Sequence, residues 1–159
     1  MTIAATERYF EDYAVGTSDE FGAYAITEAE IIEFARRYDP QPFHVDPEAA
    51  RGSSFGGLVA SGWMTGSVMM RMMVDHYISR VSSMGSPGLD EIRWVRPVRA
   101  GDVLRVRITV TAAKRSASKP DRGVIWFDNT VLDQRDQAVM TCKGMGMYRC
   151  RDAPAAGSV

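Results

Sequence analysis

The segment YDPQPFHVDP, residues 38–47, places an aspartate and one of the chain's two histidines among three prolines. Proline fixes its own φ angle and biases the preceding residue towards an extended conformation, so this segment should be stiff. A carboxylate at Asp39 and an imidazole at His44, held at a set separation, can move protons to and from a substrate. Alternatively, His44 bonds a nearby carboxylate only to hold a loop in place. The spacing alone leaves both interpretations open.

A metal site is not expected in this segment. Asp39, His44 and Asp46 offer one imidazole and two carboxylates, but the second histidine, His76, is distant in the sequence. No cysteine spacing fits a zinc site either. His76 falls near the end of a predicted helix, where the helix dipole favours a positive charge. The histidines therefore predict acid/base chemistry or a structural task, and no metal centre.

Local signals predict a helix that ends just before Asp39. Thr27 and Glu30 form a capping box, in which each side chain accepts a hydrogen bond from the backbone N–H of the other residue. Apolar residues then recur at helical spacing until Pro40, which disfavours helical geometry at the residue before it. The helix should therefore run to about Tyr38 and leave Asp39 at its exit.

A second local signal follows His44. Asp46 and Pro47 are typical of an N-cap and a first-turn proline, so a short helix is predicted over residues 47–51. Asp46 then has a structural task. Asp39 is the acidic residue near His44 that remains available for chemistry.

A glycine-rich loop over residues 52–62 leads into the predicted central helix, residues 61–79. Apolar side chains cover most of the circumference of this helix, which indicates that protein largely encloses it. Arg71 and Asp75, four residues apart, should pair on its narrow polar edge. The many methionines of the helix are interpreted as core packing rather than as a cofactor site.

The hydrophobic period changes from helical to alternating after residue 88. Leu104, Val106 and Ile108 alternate with polar residues, which is typical of a half-buried antiparallel strand. One long helix together with a strand-rich second half predicts an α+β domain, in which an antiparallel sheet wraps the helix. The other predicted strands are residues 20–26, 89–96, 123–132 and 138–150, with a polar loop at 114–121 and a hairpin turn at 133–136.

Length and composition are those of one globular domain, predicted over residues 1–152 with a disordered tail over 153–159. No signal peptide or membrane-spanning stretch is recognised, so a cytoplasmic location is expected. Cys142 and Cys150 fall on one predicted strand about 26 Å apart, too far for a disulfide, so both should be reduced thiols.

The net charge of −1 conceals an asymmetry along the chain. Residues 1–50 contain three basic and eleven acidic residues, whereas residues 80–159 contain fourteen basic and eight acidic ones. The total charge argues against general nucleic-acid binding. The basic second half, which includes residues 114–122, either receives a phosphorylated ligand or forms a solvated, arginine-rich face of the sheet.

Three stretches resemble a known family. FARRYDPQPFHVDPEAA, residues 34–50, and FGGLVASG, residues 55–62, are similar to the hydratase 2 motif of the MaoC-like dehydratases. WVRPVRAGD, residues 94–102, resembles the sheet segment that follows the long helix in the same family. These are hot-dog-fold proteins related to (R)-specific enoyl-CoA hydratases. The resemblance implies a hot-dog fold and a homodimer or dimer of dimers.

The resemblance also implies roles for individual residues. Asp39 and His44 match the family's aspartate and histidine, which activate the water added to an enoyl thioester. Gly62 matches the glycine whose backbone N–H faces the thioester oxygen, and a helix N-terminus can stabilise an enolate there. The implied reaction is the reversible hydration of 2-enoyl-CoA to (R)-3-hydroxyacyl-CoA. No metal or cofactor is implied, since the CoA thioester is the substrate.

Two residues depart from the family pattern. Gln41 stands where asparagine is usual, and Ser61 stands where many members have histidine. A hot-dog thioesterase and a non-catalytic acyl-CoA-binding module remain alternative functions. The residues predicted to contact the acyl-CoA substrate are Gln41, Phe43, Ser61 and Trp63, with Arg96, Lys119 and Arg122 as candidates for its phosphates. Beyond this acyl-CoA and a second copy of the chain, no nucleic-acid or membrane partner is expected.

Overall fold

The computed structural model describes residues 3–152, so the tail predicted over residues 153–159 lies outside the described part. The strands are β1 (Ser18–Ala25), β2 (Leu89–Trp94), β3 (Val103–Arg115), β4 (Arg122–Leu132) and β5 (Ala138–Arg149). The α-helices are α1 (Glu28–Tyr38), α2 (Pro42–Val45), α3 (Pro47–Arg51) and α4 (Gly62–His76). The strands form one antiparallel sheet in the order β1-β3-β4-β5-β2.

The sheet confirms the predicted strands at all five places. β3, β4 and β5 form its centre, and β1 and β2 are its two edges. β3 extends further than expected, because Lys114 and Arg115 pair with Val124 and Gly123 of β4. The prediction that the loop at 114–121 includes Lys114 and Arg115 is therefore wrong.

The inward side of α4 lies against the sheet and builds the core. Leu104, Val106 and Ile108 of β3 are each 0% exposed, as their alternation predicts. Met69 and Met72 of α4 are buried in the same cluster, which agrees with core packing. An antiparallel sheet around one long helix is the hot-dog fold, so the predicted α+β class is confirmed.

The outward side of α4 remains uncovered. Trp63, Met70 and Val74 are 60%, 45% and 48% exposed. The expectation that protein encloses this helix on most sides is wrong for a single chain, because the sheet covers only one of its faces. Arg71 and Asp75 form the predicted ion pair on the exposed side, at 2.8 Å.

The predicted helix ends on both sides of the Asp39–His44 segment are confirmed. Thr27 and Glu30 form the capping box of α1, which ends at Tyr38. The side chain of Asp46 accepts two backbone N–H groups in the first turn of α3 and so caps that helix. These caps hold the chain on either side of the pair.

The segment between the caps is not a loop throughout. Pro42 is the first residue of α2, a single helical turn that contains His44. Proline suits this position because its missing N–H would find no partner inside the helix in any case. The turn sets the direction in which His44 leaves the backbone.

None of the helices found between residues 3 and 152 is long and apolar enough to cross a bilayer. Cys142 and Cys150 are buried free thiols, as their spacing predicts. The cytoplasmic location stays a prediction.

Candidate active site

Asp39 and His44 face each other where α1 ends and α2 begins. Oδ2 of Asp39 lies 3.3 Å from Nε2 of His44. The side chain of His44 is 8% exposed and that of Asp39 is 21% exposed, so a nearly buried imidazole stands beside a partly exposed carboxylate. This separation allows direct bonding, and it also allows both groups to contact one small molecule.

The protonation pattern of His44 follows from its second contact. Nδ1 lies 2.7 Å from the carbonyl oxygen of Val59, and a carbonyl oxygen only accepts hydrogen bonds. Nδ1 must therefore carry a proton, which leaves Nε2 as the nitrogen that faces Asp39. Residue types do not predict this contact, because Val59 contributes only its backbone.

Both oxygens of Asp39 accept hydrogen bonds from neutral side chains. Gln41 donates to Oδ1 at 2.7 Å, and Ser61 donates to Oδ2 at 2.8 Å. The bond from Gln41, the bond from Ser61 and the nearby His44 hold the pKa of Asp39 below its ordinary value, against the opposing effect of burial. Asp39 is therefore a carboxylate near neutral pH and can act as a base.

Gly62 begins α4 beside this pair. As the first residue of the helix, it has no carbonyl one turn earlier in the helix to accept its N–H. A Cβ atom at this position would lie 2.4 Å from the ring of Trp94, so a larger residue would displace either the ring or the helix start. Glycine thus permits this close contact.

Trp94 is a site residue that the sequence analysis did not assign. Its indole N–H donates to the carbonyl oxygen of Gly62 at 2.7 Å, and its ring also contacts Trp63 edge to face. Trp94 is the first residue of the stretch 94–102 that resembles the family, and this position was the sequence signal that could have identified it as a site residue. Trp94 ties the end of β2 to the first turn of α4.

A cavity of about 370 Å³ joins these elements. Its wall includes Thr65 and Phe55, which were not among the predicted site residues. Phe55 packs against Phe43 and so belongs to the same aromatic wall. Of the predicted site residues, the cavity brings together Asp39, Gln41, Phe43, His44, Gly62, Trp63 and Arg96.

Ser61, Lys119 and Arg122 are placed elsewhere. Ser61 is 0% exposed and turned towards Asp39, so it is not positioned to contact a substrate. Arg122 begins β4 and bonds Asp121 through two nitrogens, next to the β3–β4 turn that contains Lys119.

This turn lies far from the cavity within one chain. Along β5, the partner of Arg122 is Arg149 and the partner of Trp94 is Met140. These two positions of β5 are nine residues apart, which corresponds to about 30 Å of strand. Lys119 and Arg122 therefore cannot meet a substrate in the cavity of their own chain close to Asp39.

No group of three or more histidine, cysteine or acidic side chains that could hold a metal ion is found among residues 3–152.

Residues 11–125 match the protein family described as MaoC like domain. The chain belongs to this MaoC-like family. The crystal structure of the MaoC-like dehydratase from Rhodospirillum rubrum is 39% identical in sequence and has a TM-score of 0.85. That similarity covers 91% of this MaoC-like chain and 98% of the other chain, which confirms the family and the fold.

Two further proteins are similar to this chain over only part of their length. Protein MaoC from Klebsiella aerogenes is 29% identical over 124 residues, which are 76% of this chain and 36% of that protein. The 3-hydroxyacyl-thioester dehydratase Z from Mycobacterium tuberculosis is 37% identical over 97 residues, 60% of this chain and 61% of that protein. This MaoC-like chain thus spans about a third of the first relative and less than two thirds of the second.

Proposed function

We propose that this MaoC-like protein is a hydro-lyase that reversibly adds water to a 2-enoyl-CoA and forms an (R)-3-hydroxyacyl-CoA. The observation that carries the proposal is the 3.3 Å approach of Asp39 to His44 on the wall of a cavity that also contains the start of α4. The names of the two dehydratases among the similar proteins agree with this chemistry. The R configuration rests on the family resemblance.

The start of α4 binds the thioester. The N–H of Gly62 donates a hydrogen bond to the thioester carbonyl oxygen, and the positive end of the helix dipole adds to the attraction. This interaction withdraws electrons from the conjugated double bond and makes C3 electrophilic. Because negative charge grows on the carbonyl oxygen as water adds, the interaction is stronger in the transition state than in the bound substrate.

Asp39 and His44 supply the water. A water molecule held between Oδ2 and Nε2 loses a proton to Asp39 while its oxygen bonds to C3. The resulting enolate, held at Gly62, then receives a proton at C2 through the Asp39–His44 pair. The sum is the addition of one water molecule, and dehydration uses the same groups in reverse order. No step in this scheme uses a metal ion or a redox cofactor.

Arginines beside the cavity are the proposed contacts for the CoA phosphates. A second cavity of about 180 Å³ adjoins the first, shares Arg96 with it and is also lined by Arg99 and Arg135. Two carboxylates line this second cavity, but Asp102 accepts the backbone N–H of Arg99 and Asp133 accepts that of Arg135. The guanidinium of Arg96 donates to the carbonyl oxygen of Ala138, and that of Arg99 donates to the carbonyl oxygens of Phe55 and Leu58. No carboxylate in the described residues forms an ion pair with the three guanidinium groups, so their charges and remaining N–H groups can attract phosphate.

We propose that the working form is a homodimer, either alone or paired into a dimer of dimers. β2 is an edge strand, and Leu89 and Trp94 on it are 53% and 44% exposed. On α4, Met70 and Val74 are similarly exposed. An unpaired edge strand and exposed apolar side chains are features that a symmetric copy can cover.

The deciding experiment distinguishes attack of water at C3, which is hydration, from attack at the thioester carbonyl, which is hydrolysis. Incubation with trans-2-enoyl-CoA thioesters of several chain lengths should remove the ultraviolet absorbance of the conjugated double bond without release of free CoA thiol. The 3-hydroxyacyl-CoA should be recovered and have the R configuration. Thiol release in step with substrate loss, together with equal cleavage of saturated acyl-CoA, would instead establish a thioesterase. Tight acyl-CoA binding without any turnover would identify a binding module.

A further inference from the structure

Ser61 connects the proposed base to the helix that holds the thioester. It is 0% exposed and is the N-cap residue of α4. Its hydroxyl accepts the backbone N–H of Trp63 at 3.2 Å and donates to Oδ2 of Asp39 at 2.8 Å. One buried hydroxyl therefore bonds both the first turn of α4 and the carboxylate.

The hydrogen-bond roles of this hydroxyl are fixed by its partners. Serine has one O–H donor and two acceptor positions, and the N–H of Trp63 can only donate. The proton of Ser61 is thus left for Asp39, whose ionised carboxylate only accepts. Hydrogen bonds to an ionised group are shorter and stronger than those between neutral groups, so this bond favours the charged form of Asp39.

We propose that Ser61 is a positioning residue: it locks Oδ2 of Asp39 to the start of α4, so that the base and the Gly62 N–H are held as one unit. Its importance for catalysis rests on the function proposed above. Ser61 does not line the cavity, which separates this role from substrate binding. This role accounts for the serine at position 61, where many family members have histidine.

The surroundings of Asp39 give this role a measurable consequence. Gln41 bonds the other oxygen, His44 is the titratable group that faces Asp39, and Arg96 lines the same cavity. Bonds from Gln41 and Ser61 and the nearby His44 lower the pKa of Asp39, whereas burial raises it. Loss of the Ser61 hydroxyl should therefore raise the pKa of Asp39, and activity that needs the carboxylate should fade at a higher pH on the acid side.

Two substitutions separate positioning from helix capping. Ser61→Ala removes both the hydroxyl and the cap, whereas Ser61→Gly removes the hydroxyl and keeps a residue that caps well. Both should lower kcat by roughly 10- to 100-fold, the range for a lost hydrogen bond to a charged group, with little change in KM. Both should move the acid limb of the pH–rate profile to higher pH to a similar extent. Ser61→Thr keeps the hydroxyl and should restore the wild-type acid limb.

Ser67→Ala is the matched control. Ser67 lies on the same helix, and its hydroxyl bonds the carbonyl of Trp63 at 2.8 Å without contacting Asp39. This variant should leave the pH profile unchanged. A pH profile that follows the thermal stability of the variants, instead of the presence of the Ser61 hydroxyl, would assign Ser61 to helix capping alone.

Carbon-13 NMR titration of the Asp39 carboxyl provides a readout that needs no substrate. The signal is assigned by its absence in Asp39→Asn and followed in wild type, Ser61→Ala and Ser61→Gly. Equal titration of Asp39 in all three proteins would overturn the inference, whether or not the protein hydrates enoyl thioesters. A higher pKa in both variants would support it, even if no enoyl thioester were turned over and the proposed function had failed.

Discussion

At the scale of single residues, hydrogen-bond directions decide which atoms are free to react. The carbonyl of Val59 holds the Nδ1 proton of His44, so Nε2 faces Asp39. Gln41 and Ser61 each donate to one oxygen of Asp39. The two departures from the family pattern are thus the two side chains that brace the carboxylate. The longer side chain of Gln41 reaches Asp39 while its own residue serves as the N-cap position of α2.

The first prediction concerns Asp39 and His44, the proposed reacting pair. Asp39→Asn and His44→Ala should each lower kcat/KM for an enoyl thioester by about 10² to 10⁴ fold, the usual loss on removal of a positioned acid or base. Circular dichroism should show a folded protein in both cases, because neither residue belongs to the core cluster.

Asp46→Asn is the control for this prediction. Asp46 lies in the same segment but caps α3, and asparagine is an equally good N-cap. This variant should keep nearly wild-type turnover. Near-wild-type rates in Asp39→Asn as well would mean that the pair has only a structural task.

At the scale of elements, the two glycines of α4 have opposite surroundings. A Cβ atom on Gly62 would collide with Trp94, whereas one on Gly66 has no atom within 4 Å. The first glycine is required by the close contact between the helix start and the end of β2. The second only lowers the intrinsic stability of the helix.

The second prediction compares these glycines. Gly66→Ala should raise the free energy of unfolding by about 0.5 to 1 kcal/mol, because alanine is the better helix former and has room. Gly62→Ala should lower it and reduce turnover, since the ring of Trp94 or the first N–H groups of α4 must move. Denaturant unfolding and turnover, measured on the same preparations, test both. Wild-type activity in Gly62→Ala would argue against an oxyanion site at the start of α4.

The third prediction compares two turns of the sheet. Arg135, between β4 and β5, lines the cavity next to the proposed active site, whereas Lys119, between β3 and β4, is distant in the same chain. Arg135→Ala should raise KM for a CoA thioester by about 1.5- to 5-fold, the scale of an exposed charge pair. A high salt concentration should reduce the difference in KM between Arg135→Ala and wild type, because salt screens charge interactions.

Lys119→Ala should leave KM unchanged if each chain binds its own CoA phosphates. The reverse result would be a raised KM in Lys119→Ala and an unchanged KM in Arg135→Ala. It would place the CoA phosphates on the turn between β3 and β4 of another copy of the chain.

At the scale of the whole molecule, the sheet leaves α4 half covered. Trp63, Met70 and Val74 face outward on the helix, and Leu89 and Trp94 are exposed on the neighbouring edge strand. Burial of apolar surface drives association, and a two-fold axis through an edge strand brings identical surfaces together. The assembly prediction follows from these exposed apolar groups.

The fourth prediction tests this assembly. Light scattering should give the mass of a dimer or a dimer of dimers for the wild-type protein. Met70→Lys should shift the mass towards the monomer, because the interface would have to bury an unpaired charge. Val15→Lys is the control, since Val15 is 60% exposed but precedes β1 at the opposite edge of the sheet. A stable wild-type monomer with full activity would rule the assembly out.

Several features of the fold follow from short-range physics and were predictable from the sequence. The capping box at Thr27 and Glu30, the helix end before Pro40 and the cap at Asp46 each depend on residues only a few positions apart. Alternating apolar residues likewise indicate which side of β3 enters the core, because the strand itself sets the period. The proline-stiffened segment also indicated Asp39 and His44 as a candidate acid/base pair, and the family motif implied their role towards water.

Other features depend on contacts between distant parts of the chain. The Val59 carbonyl determines which nitrogen of His44 faces Asp39, the Trp94 ring requires glycine at position 62, and Ser61 turns inward to Asp39. None of these follows from residue type or spacing, since each needs two segments to meet in three dimensions. Charge composition indicated a basic half of the chain, but only the sheet register separates Arg96, beside the cavity, from the distant Arg122 turn. The sequence by itself determined most of the elements and the candidate residue types, and the tertiary structure decided which atoms of those residues meet.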